Sequence, residues 1–322
     1  MWRQGRLSGH LRTLVDLPRR RPPRLRREDL SLPGQMTRVL PGWLKSGVFG
    51  RLALGFLALS TLSGLALVPT YDPAAPYASL EAITAGLPWA WFMRALHWFT
   101  SQALLVTTAL HLLEVVLAKR ERRLEPGPWW RASASLVLIV LALFSGFLMR
   151  GDLEAVSASR IASAISLSLP WLGASLRGFL FGGEHPTVGV IAMHHAGTFT
   201  VLLWIVTYEH GGRALPDARS VVLAGASALV FAALATLPLG PAPNEVAAEP
   251  LLGPWYFLGL QGMVRDLPPL SVWLLGAAMM ASLGTLHHFA ESRRPRQLFL
   301  AFVAVVLLAN LVWGVAFIWG LS

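Results

Sequence analysis

The stretch that decides the fold is WAWFMRALHWFTSQALLVTTALHLLEVVLA, residues 89–118. It contains one arginine and one glutamate among mostly apolar residues, and a helix needs about twenty such residues to cross a lipid bilayer. The stretch therefore predicts a membrane-spanning helix. Two histidines, His97 and His111, lie inside it. Ionisable side chains inside a span are costly and usually serve a function, so these histidines are the first candidate site residues.

The rest of the chain repeats this pattern. Of its 322 residues, 54% are hydrophobic and 14% are charged, whereas soluble domains carry about 25% charged residues. Apolar stretches predict seven spans in all: 48–68, 89–118, 131–149, 187–209, 219–239, 271–288 and 298–320. The predicted fold class is an all-α polytopic membrane protein, with four helices followed by three more after a break at 211–220.

Charge in the connections predicts the orientation. The net charge of +10 is concentrated in four segments: residues 1–45, 119–131, 213–219 and 293–296. Alternate connections share one side of the membrane, and cytoplasmic connections carry the excess of Lys and Arg. The N-terminus is therefore predicted to be cytoplasmic and the C-terminus to be outside. We interpret residues 1–45 as a basic cytoplasmic extension, and the positive charge as a topology signal instead of a nucleic-acid-binding signal.

The two long connections on the other side, 150–186 and 240–270, are mixed in charge. Within them, the apolar residues of segments 153–182 and 251–265 recur with an amphipathic spacing. Such segments lie flat at the membrane surface as short helices. We therefore predict two interfacial helical regions on this side of the bilayer.

The histidines occur in matched pairs. His97 and His111 are fourteen residues apart in the second span, and His195 and His210 are fifteen apart in the fourth. At about 100° and 1.5 Å per residue, each pair shares one helix face and is separated by roughly 21–22 Å along the axis. Because one span lies between them, the two helices run parallel, which places His97 level with His195 and His111 level with His210. Two bis-histidine sites of this kind suit haem iron in electron transfer, since both axial positions are filled.

Three alternatives compete with this interpretation. Each histidine could hydrogen-bond a neighbouring helix. Zinc could bind, although neither level offers a third or fourth ligand. His194 could replace His195, although it would point about 100° away. The absence of cysteine excludes disulfides, thiolate metal sites and covalent haem attachment in this chain, so the expected cofactors are two haem b groups.

Small residues and one arginine fit the same geometry. Gly50 and Gly64 in the first span are also fourteen residues apart, and each is predicted to leave room for one porphyrin edge. Arg94 precedes His97 by three residues, one helical turn, and is predicted to meet a haem propionate. The alternatives are ordinary packing glycines and an arginine that extends to the membrane surface.

Taken together, these features resemble cytochrome b, the central subunit of bc-type quinol–cytochrome c oxidoreductases, over most of residues 45–320. The residues that carry the resemblance are Phe49-Gly50, Ser63-Gly64, Tyr77-Ala78-Ser79, Arg94-x-x-His97 and His111. The fifteen-residue step and the seven spans resemble the plastid and cyanobacterial branch, in which a four-helix and a three-helix part are separate subunits. The resemblance implies that the two parts are fused here, with a di-haem four-helix bundle in residues 46–212 and a three-helix region in residues 213–322.

The resemblance also assigns roles to the histidine pairs. In the family such pairs bind haem iron, which implies that His97 and His195 hold the outer, low-potential haem. It likewise implies that His111 and His210 hold the inner, high-potential haem. Gly146, near the end of the third span, is expected to act as a further packing glycine beside a haem.

The chain departs from the family pattern at the quinol-oxidation motif. Gly253-Pro254-Trp255-Tyr256 stands where the family carries Pro-Glu-Trp-Tyr, so the aromatic pair Trp255 and Tyr256 remains and the proton-accepting glutamate does not. Glu249 lies nearby and is the candidate substitute. Three further positions depart: Glu114 and Ile191 stand where arginines are usual, and Ala132 stands where a glycine is expected.

The resemblance implies the membrane subunit of a quinol-oxidising respiratory complex in the bacterial inner membrane. The implied partners are a Rieske-type iron–sulfur protein, a c-type cytochrome, quinone and a second copy of the chain. A second hypothesis is a di-haem membrane anchor that relays electrons between a partner redox subunit and quinone, without a bifurcating outer site. A third is a transporter or structural membrane protein without haem.

Overall fold

The structure, a computed structural model, describes residues 47–211, 215–234, 237, 239–246, 251–289 and 291–320. The basic extension predicted for residues 1–45 lies outside this range. The described residues belong to one compact unit, Trp43–Ser322. Every regular element among them is helical, in agreement with the predicted fold class.

Twelve α-helices are described. In chain order they are α1 Val48–Leu67, α2 Pro76–Gly86, α3 Pro88–Leu117, α4 Pro126–Leu148, α5 Leu153–Leu167, α6 Gly173–Phe181, α7 Val188–Met193, α8 Thr200–His210, α9 Ala218–Leu234, α10 Leu258–Asp266, α11 Leu270–His288 and α12 Arg293–Ile318. A π-helical segment, His194–Phe199, joins α7 to α8, and these three pieces form one continuous span, Val188–His210.

Six of the seven predicted spans are long and apolar enough to cross a membrane in the described part of the chain. The seventh, predicted at 219–239, is the shorter apolar helix α9, of 17 residues. Helix α4 begins at Pro126 and α12 at Arg293, each about five residues before the predicted start. Proline is well suited to the first turn of a helix because its missing N–H would be unpaired there in any case.

The two predicted interfacial regions are helical, and one further short helix was not predicted. Helices α5 and α6 occupy the predicted segment 153–182, and α10 occupies most of 251–265, preceded by a 3₁₀ turn at Trp255–Phe257. This helix, α2, forms between the first two predicted spans, where the sequence analysis places no element. Proline occupies the first turn of this helix too, after a turn in which the Asp72 carboxylate accepts from the Ala74 amide at 2.9 Å.

The core is built where α1, α3, α4, α8 and α9 meet. Its buried apolar side chains are Phe56, Leu57, Ala95, Leu96, Leu104, Ile139, Leu143, Leu203, Ala224, Ala228 and Ala232. Helix α1 packs along α3 and α9, and α4 packs along α8. The close approach of α9 to α1 depends on Gly55, where an added Cβ would lie 2.5 Å from the Ser220 carbonyl oxygen.

A second cluster connects this core to the last two helices. Val116 on α3 and Trp129 on α4 pack with Leu283, Leu286 and Phe299. The Trp129 indole N–H donates to the Leu283 carbonyl at 3.1 Å, which satisfies its polar atom in this apolar surrounding. The contact fixes α4 against α11 at the end of the bundle where His111 and His210 lie.

Candidate functional site

The structure brings His97 and His195 together. Their ring centres are 6.0 Å apart and their planes are nearly perpendicular, at 77°. Metal–imidazole bonds are about 2 Å long, so two imidazoles on one metal have ring centres roughly 6 Å apart. The separation of this pair therefore matches that of two axial ligands of a single iron.

The other pair, His111 and His210, lines a common cavity. The cavity has a volume of about 240 Å³ and is surrounded mostly by apolar side chains of α1, α3, α4 and α8. Leu57, Leu104 and Ile139 are among them, and Ala132 also lines it. Both rings therefore border the same open space in this part of the bundle.

All four imidazoles are held by a hydrogen bond at Nδ1. The partner of His97 is the Ser60 carbonyl at 2.8 Å, and that of His195 is the Ala142 carbonyl at 3.0 Å. The partner of His210 is the Pro128 carbonyl at 3.3 Å. A carbonyl oxygen can only accept, so each of these rings carries its proton on Nδ1 and presents the lone pair of Nε2, the state in which histidine binds metals.

His111 is held differently. Its Nδ1 faces the Glu114 Oε2 at 3.3 Å, and the Glu114 side chain is fully buried. A carboxylate accepts as a carbonyl does, so the same tautomer results and Nε2 is again left for a metal. Sequence reasoning noted Glu114 as a departure from the family but did not assign it this contact.

Each of the three candidate glycines lies directly against one histidine ring. A Cβ added at Gly50 would be 2.8 Å from the His111 Cε1 atom, and one at Gly64 would be 2.9 Å from the His97 Cε1 atom. At Gly146 the distance to the His195 Cε1 atom would be 2.9 Å. Real Cβ atoms essentially never come this close, so the absence of a side chain at these positions is what lets the rings occupy their places.

His194 is a structural histidine in this arrangement. It is 2% exposed, its Nε2 is 2.7 Å from the Phe179 carbonyl and its Nδ1 is 3.1 Å from the Thr198 hydroxyl. Because both ring nitrogens are engaged, His194 has no lone pair directed at a metal. The geometry thus favours His195 over His194, as the sequence reasoning did.

The π-helical segment accounts for the different residue spacing of the histidines on the two helices. In a π-helix the backbone bonds run from i to i+5, so the segment takes up one residue more than an α-helix of the same phase. Within His194–Phe199 the His195 carbonyl accepts from the Thr200 amide and also from the Thr200 hydroxyl, at 2.6 Å. The fifteen-residue step from His195 to His210 therefore has the phase of the fourteen-residue step from His97 to His111.

Arg94 is engaged by protein atoms. Its guanidinium Nη1 donates to the Thr84 hydroxyl at 2.9 Å and to the Leu237 carbonyl at 3.0 Å. These bonds tie α3 to α2 and to the segment after α9. The predicted contact with a haem propionate stays a prediction.

The aromatic pair of the altered quinol motif lies apart from the cavity of His111 and His210. Trp255 is 54% exposed, and its indole N–H donates to the Gln102 side-chain oxygen at 2.5 Å. Tyr256 packs against the main core cluster, and its burial raises the pKa of the phenol. Glu249, the proposed substitute for the missing glutamate, lies outside the described residues.

Acidic groups that the sequence reasoning did not single out lie at the corner between α4 and α5. Asp152 is fully buried, pairs with Arg150 and accepts from the Ala155 amide at 2.9 Å and the Gly240 amide at 3.2 Å. Glu154 lies 3.0 Å from the same guanidinium, and desolvation raises its pKa against the opposing effect of Arg150. The Asp152 contacts join α4 and α5 to the segment that follows α9.

Comparison with known proteins finds similarity to cytochrome b. A family model described as "Cytochrome b(N-terminal)/b6/petB" matches residues 102–211. Cytochrome b of Pantherophis bairdi is 21% identical over 83% of the chain and 82% of that protein. Cytochrome b of Yarrowia lipolytica is 23% identical over 68% of the chain and 66% of that protein.

A solved structure has the same fold. The chain is similar to one from "Hyperthermophilic respiratory Complex III", with a TM-score of 0.55 and 18% identity over 83% of this chain and 90% of that one. The family model over residues 102–211, the curated relatives and the solved neighbour therefore agree: the chain is similar to cytochrome b in sequence and to a respiratory Complex III chain in fold.

Proposed function

We propose that the chain moves electrons across a membrane through two b-type haems, one held by His97 and His195 and one by His111 and His210. The observation that carries the proposal is the arrangement of the four imidazoles. The ring centres of His97 and His195 are 6.0 Å apart, His111 and His210 line one cavity, and each of the four rings has a hydrogen-bond partner at Nδ1. Three of the rings also lie against a glycine that leaves no room for a side chain.

The residues present fit a haem. The cavity between His111 and His210 is apolar, as a porphyrin requires, and the 6.0 Å separation of the other pair suits one iron. When bound, the two haems supply reversible one-electron iron chemistry at two levels of the bundle. The chain orients each imidazole through its Nδ1 bond, and its apolar helices exclude water from the site.

The proposed setting follows the positive-inside rule and the relatives. The basic connections are placed in the cytoplasm of a bacterium, which makes the His97/His195 site the outer one and the His111/His210 site the inner one. Trp255 and Tyr256 then belong to an outer quinol site, and a second quinone is served near the inner haem. A Rieske-type protein, a c-type cytochrome and a second copy of the chain are the proposed partners, because the solved neighbour is part of a respiratory Complex III.

A second candidate is a di-haem anchor that passes electrons between a partner redox subunit and quinone without oxidising quinol at the outer surface. The sequence Gly253-Pro254-Trp255-Tyr256 favours it, because no carboxylate stands beside the aromatic pair in the position of the family's glutamate. Quinol oxidation by the purified complex, dependent on a Rieske partner, supports the first candidate. Electron exchange with quinone in the absence of such oxidation supports the second.

The experiment that tests the haem assignment is quantification of haem in the purified protein and its variants. We expect two haems per wild-type chain and a b-type band in the reduced-minus-oxidised spectrum. His97→Ala and His111→Ala are each expected to lose one haem, since each removes one axial ligand. The control is His185→Ala, an exposed histidine that belongs to neither pair and whose loss leaves both haems in place. Absence of a b-type band from wild-type protein contradicts the proposal.

A further inference from the structure

Glu114 distinguishes one of the four histidines from the others. Its Oε2 atom lies 3.3 Å from the Nδ1 atom of His111, three residues before it on α3. The corresponding partners of His97, His195 and His210 are backbone carbonyls. One imidazole in the described bundle is therefore held by a carboxylate, whereas its partner across the cavity is held by a neutral group.

The surroundings of Glu114 hold it in place. Its other oxygen, Oε1, accepts from the Gly47 amide at 2.7 Å and lies 3.4 Å from a guanidinium nitrogen of Arg120. Gly47 directly precedes α1, whose first N–H groups favour a negative charge nearby. With these donors on Oε1, the Oε2 atom is directed at His111, and the side chain has 0% exposure. The orientation of this carboxylate is therefore fixed by two other segments of the chain, at Gly47 and at Arg120.

A carboxylate partner changes the electronic character of a metal-bound imidazole. It draws the Nδ1 proton more strongly than a carbonyl does, which leaves more electron density on the ring and makes it a more basic ligand. A more basic axial ligand stabilises the ferric over the ferrous state and lowers the reduction potential. We propose that Glu114 is a positioning residue that lowers the reduction potential of the haem held by His111 and His210, through the Nδ1 atom of His111. This inference rests on the proposed function.

The consequence concerns the driving force for electron transfer from the outer haem to the inner haem. In the family that the chain resembles, the inner haem has the higher potential, which draws electrons inward. A carboxylate on one inner ligand works against that difference and brings the two potentials closer together. The inner haem of this chain is then a stronger reductant toward quinone than one whose two ligands are both held by carbonyls.

The test is a redox titration of each haem in the purified complex with all its subunits. In Glu114→Gln the amide keeps the size of the side chain and loses its charge. At a fixed ambient potential we expect the ratio of ferrous to ferric inner haem to rise at least tenfold, equivalent to an upward shift of 59 mV for one electron. The outer haem, more distant along α3, is expected to keep its ratio. An inner ratio that does not change overturns the inference.

The matched control is Glu121→Gln. Glu121 is also fully buried and lies near the same end of α3, but its carboxylate pairs with Arg296 instead of an imidazole of either pair. A shift in Glu121→Gln as large as that in Glu114→Gln would show that charge alone is responsible, and would overturn the role of the His111 hydrogen bond. Wild-type protein without two haems overturns the proposed function and this inference with it. Two haems with an inner potential insensitive to Glu114 overturn this inference alone.

A second variant covers the case in which Glu114→Gln does not assemble. Arg120→Gln removes a cation from the Oε1 side and leaves the carboxylate to interact more strongly with His111, so the inner potential is expected to fall. Arg122→Gln is its control, because Arg122 lies on the same turn and pairs with Glu291 at 3.8 Å. An inner potential in Arg120→Gln that rises, or that equals the value in Arg122→Gln, overturns the inference.

Discussion

Replacement of Gly64 by alanine tests whether the glycines make room for the histidine rings. The added Cβ would lie 2.9 Å from the His97 Cε1 atom and 3.1 Å from its Nδ1 atom, whereas ordinary contact begins at 3.4 Å. The ring must then move by about half an ångström. Its Nδ1 is bonded at 2.8 Å to the Ser60 carbonyl on the same helix as Gly64, so a shift away from α1 stretches that bond beyond the usual limit of about 3.2 Å.

The expected energies decide whether Gly64→Ala raises or lowers the free energy of unfolding. Overpacking of a tight site costs about 1–3 kcal/mol, and weakening of the Nδ1 bond costs about 1 kcal/mol. The gain in helix propensity from glycine to alanine offsets about 1 kcal/mol. Gly64→Ala should therefore lower the free energy of unfolding by about 1–3 kcal/mol and displace His97 from its position opposite His195.

The matched control is Gly276→Ala on α11, where an added Cβ meets nothing within 4 Å. This variant should be as stable as wild type or slightly more stable, because only the propensity gain remains. Both variants are measured by thermal unfolding in detergent, with haem content and a two-step redox titration. We expect Gly64→Ala to lose or perturb the haem of His97 and His195 while the other haem is unchanged. If Gly64→Ala and Gly276→Ala behave alike, the role assigned to the glycines is refuted.

Three further predictions follow from contacts described above. His194→Gln should retain both haems, whereas His195→Gln should lose one; haem quantification of the two neighbours checks this. Asp152→Ala should lower the free energy of unfolding by about 3 kcal/mol, because Arg150 is left without its buried partner and α5 without its N-terminal cap, and chemical denaturation in detergent measures it. Hydrogen bonds from Ser220 lower the pKa of Asp217. The Asp217 carboxylate therefore stabilises the fold above about pH 4, and this stabilisation is lost as the pH falls through the lowered pKa. Measured by unfolding at several pH values, Asp217→Asn should lack this acid-dependent loss of stability that wild type shows.

Hydropathy was sufficient to predict six of the seven spans, because a bilayer imposes length and apolarity on any helix that crosses it. It was a poor guide to where helices begin. Helix α12 starts at Arg293, outside its apolar stretch, because Arg296 within its first turns pairs with the buried Glu121. Helix α2 escaped detection because its eleven residues are too few to span a membrane. Its Leu80 and Ile83 pack in a cluster that includes Leu239, which is distant in sequence.

The histidine pairs could be anticipated because helical periodicity converts residue number directly into direction and height. The contacts that set the state of each ring could not. Ser60, Ala142 and Pro128 act through backbone carbonyls, which any residue possesses, so no sequence signal marks them. Glu114 is visible in the sequence, but its partners Gly47 and Arg120 lie on other segments, and only folding brings them to it.

The π turn between α7 and α8 also bears on how such chains are aligned. A length change inside a regular helix rotates everything beyond it by about 100°, but here the additional residue is absorbed within one widened turn. Removal of a residue from that turn should restore a regular helix and leave both imidazoles facing as before, whereas the same removal further along α8 should turn the second ring away. The number of residues between two histidines is therefore an unreliable criterion for separating branches of such proteins. Helices in which this number differs by one can present the same ligand geometry.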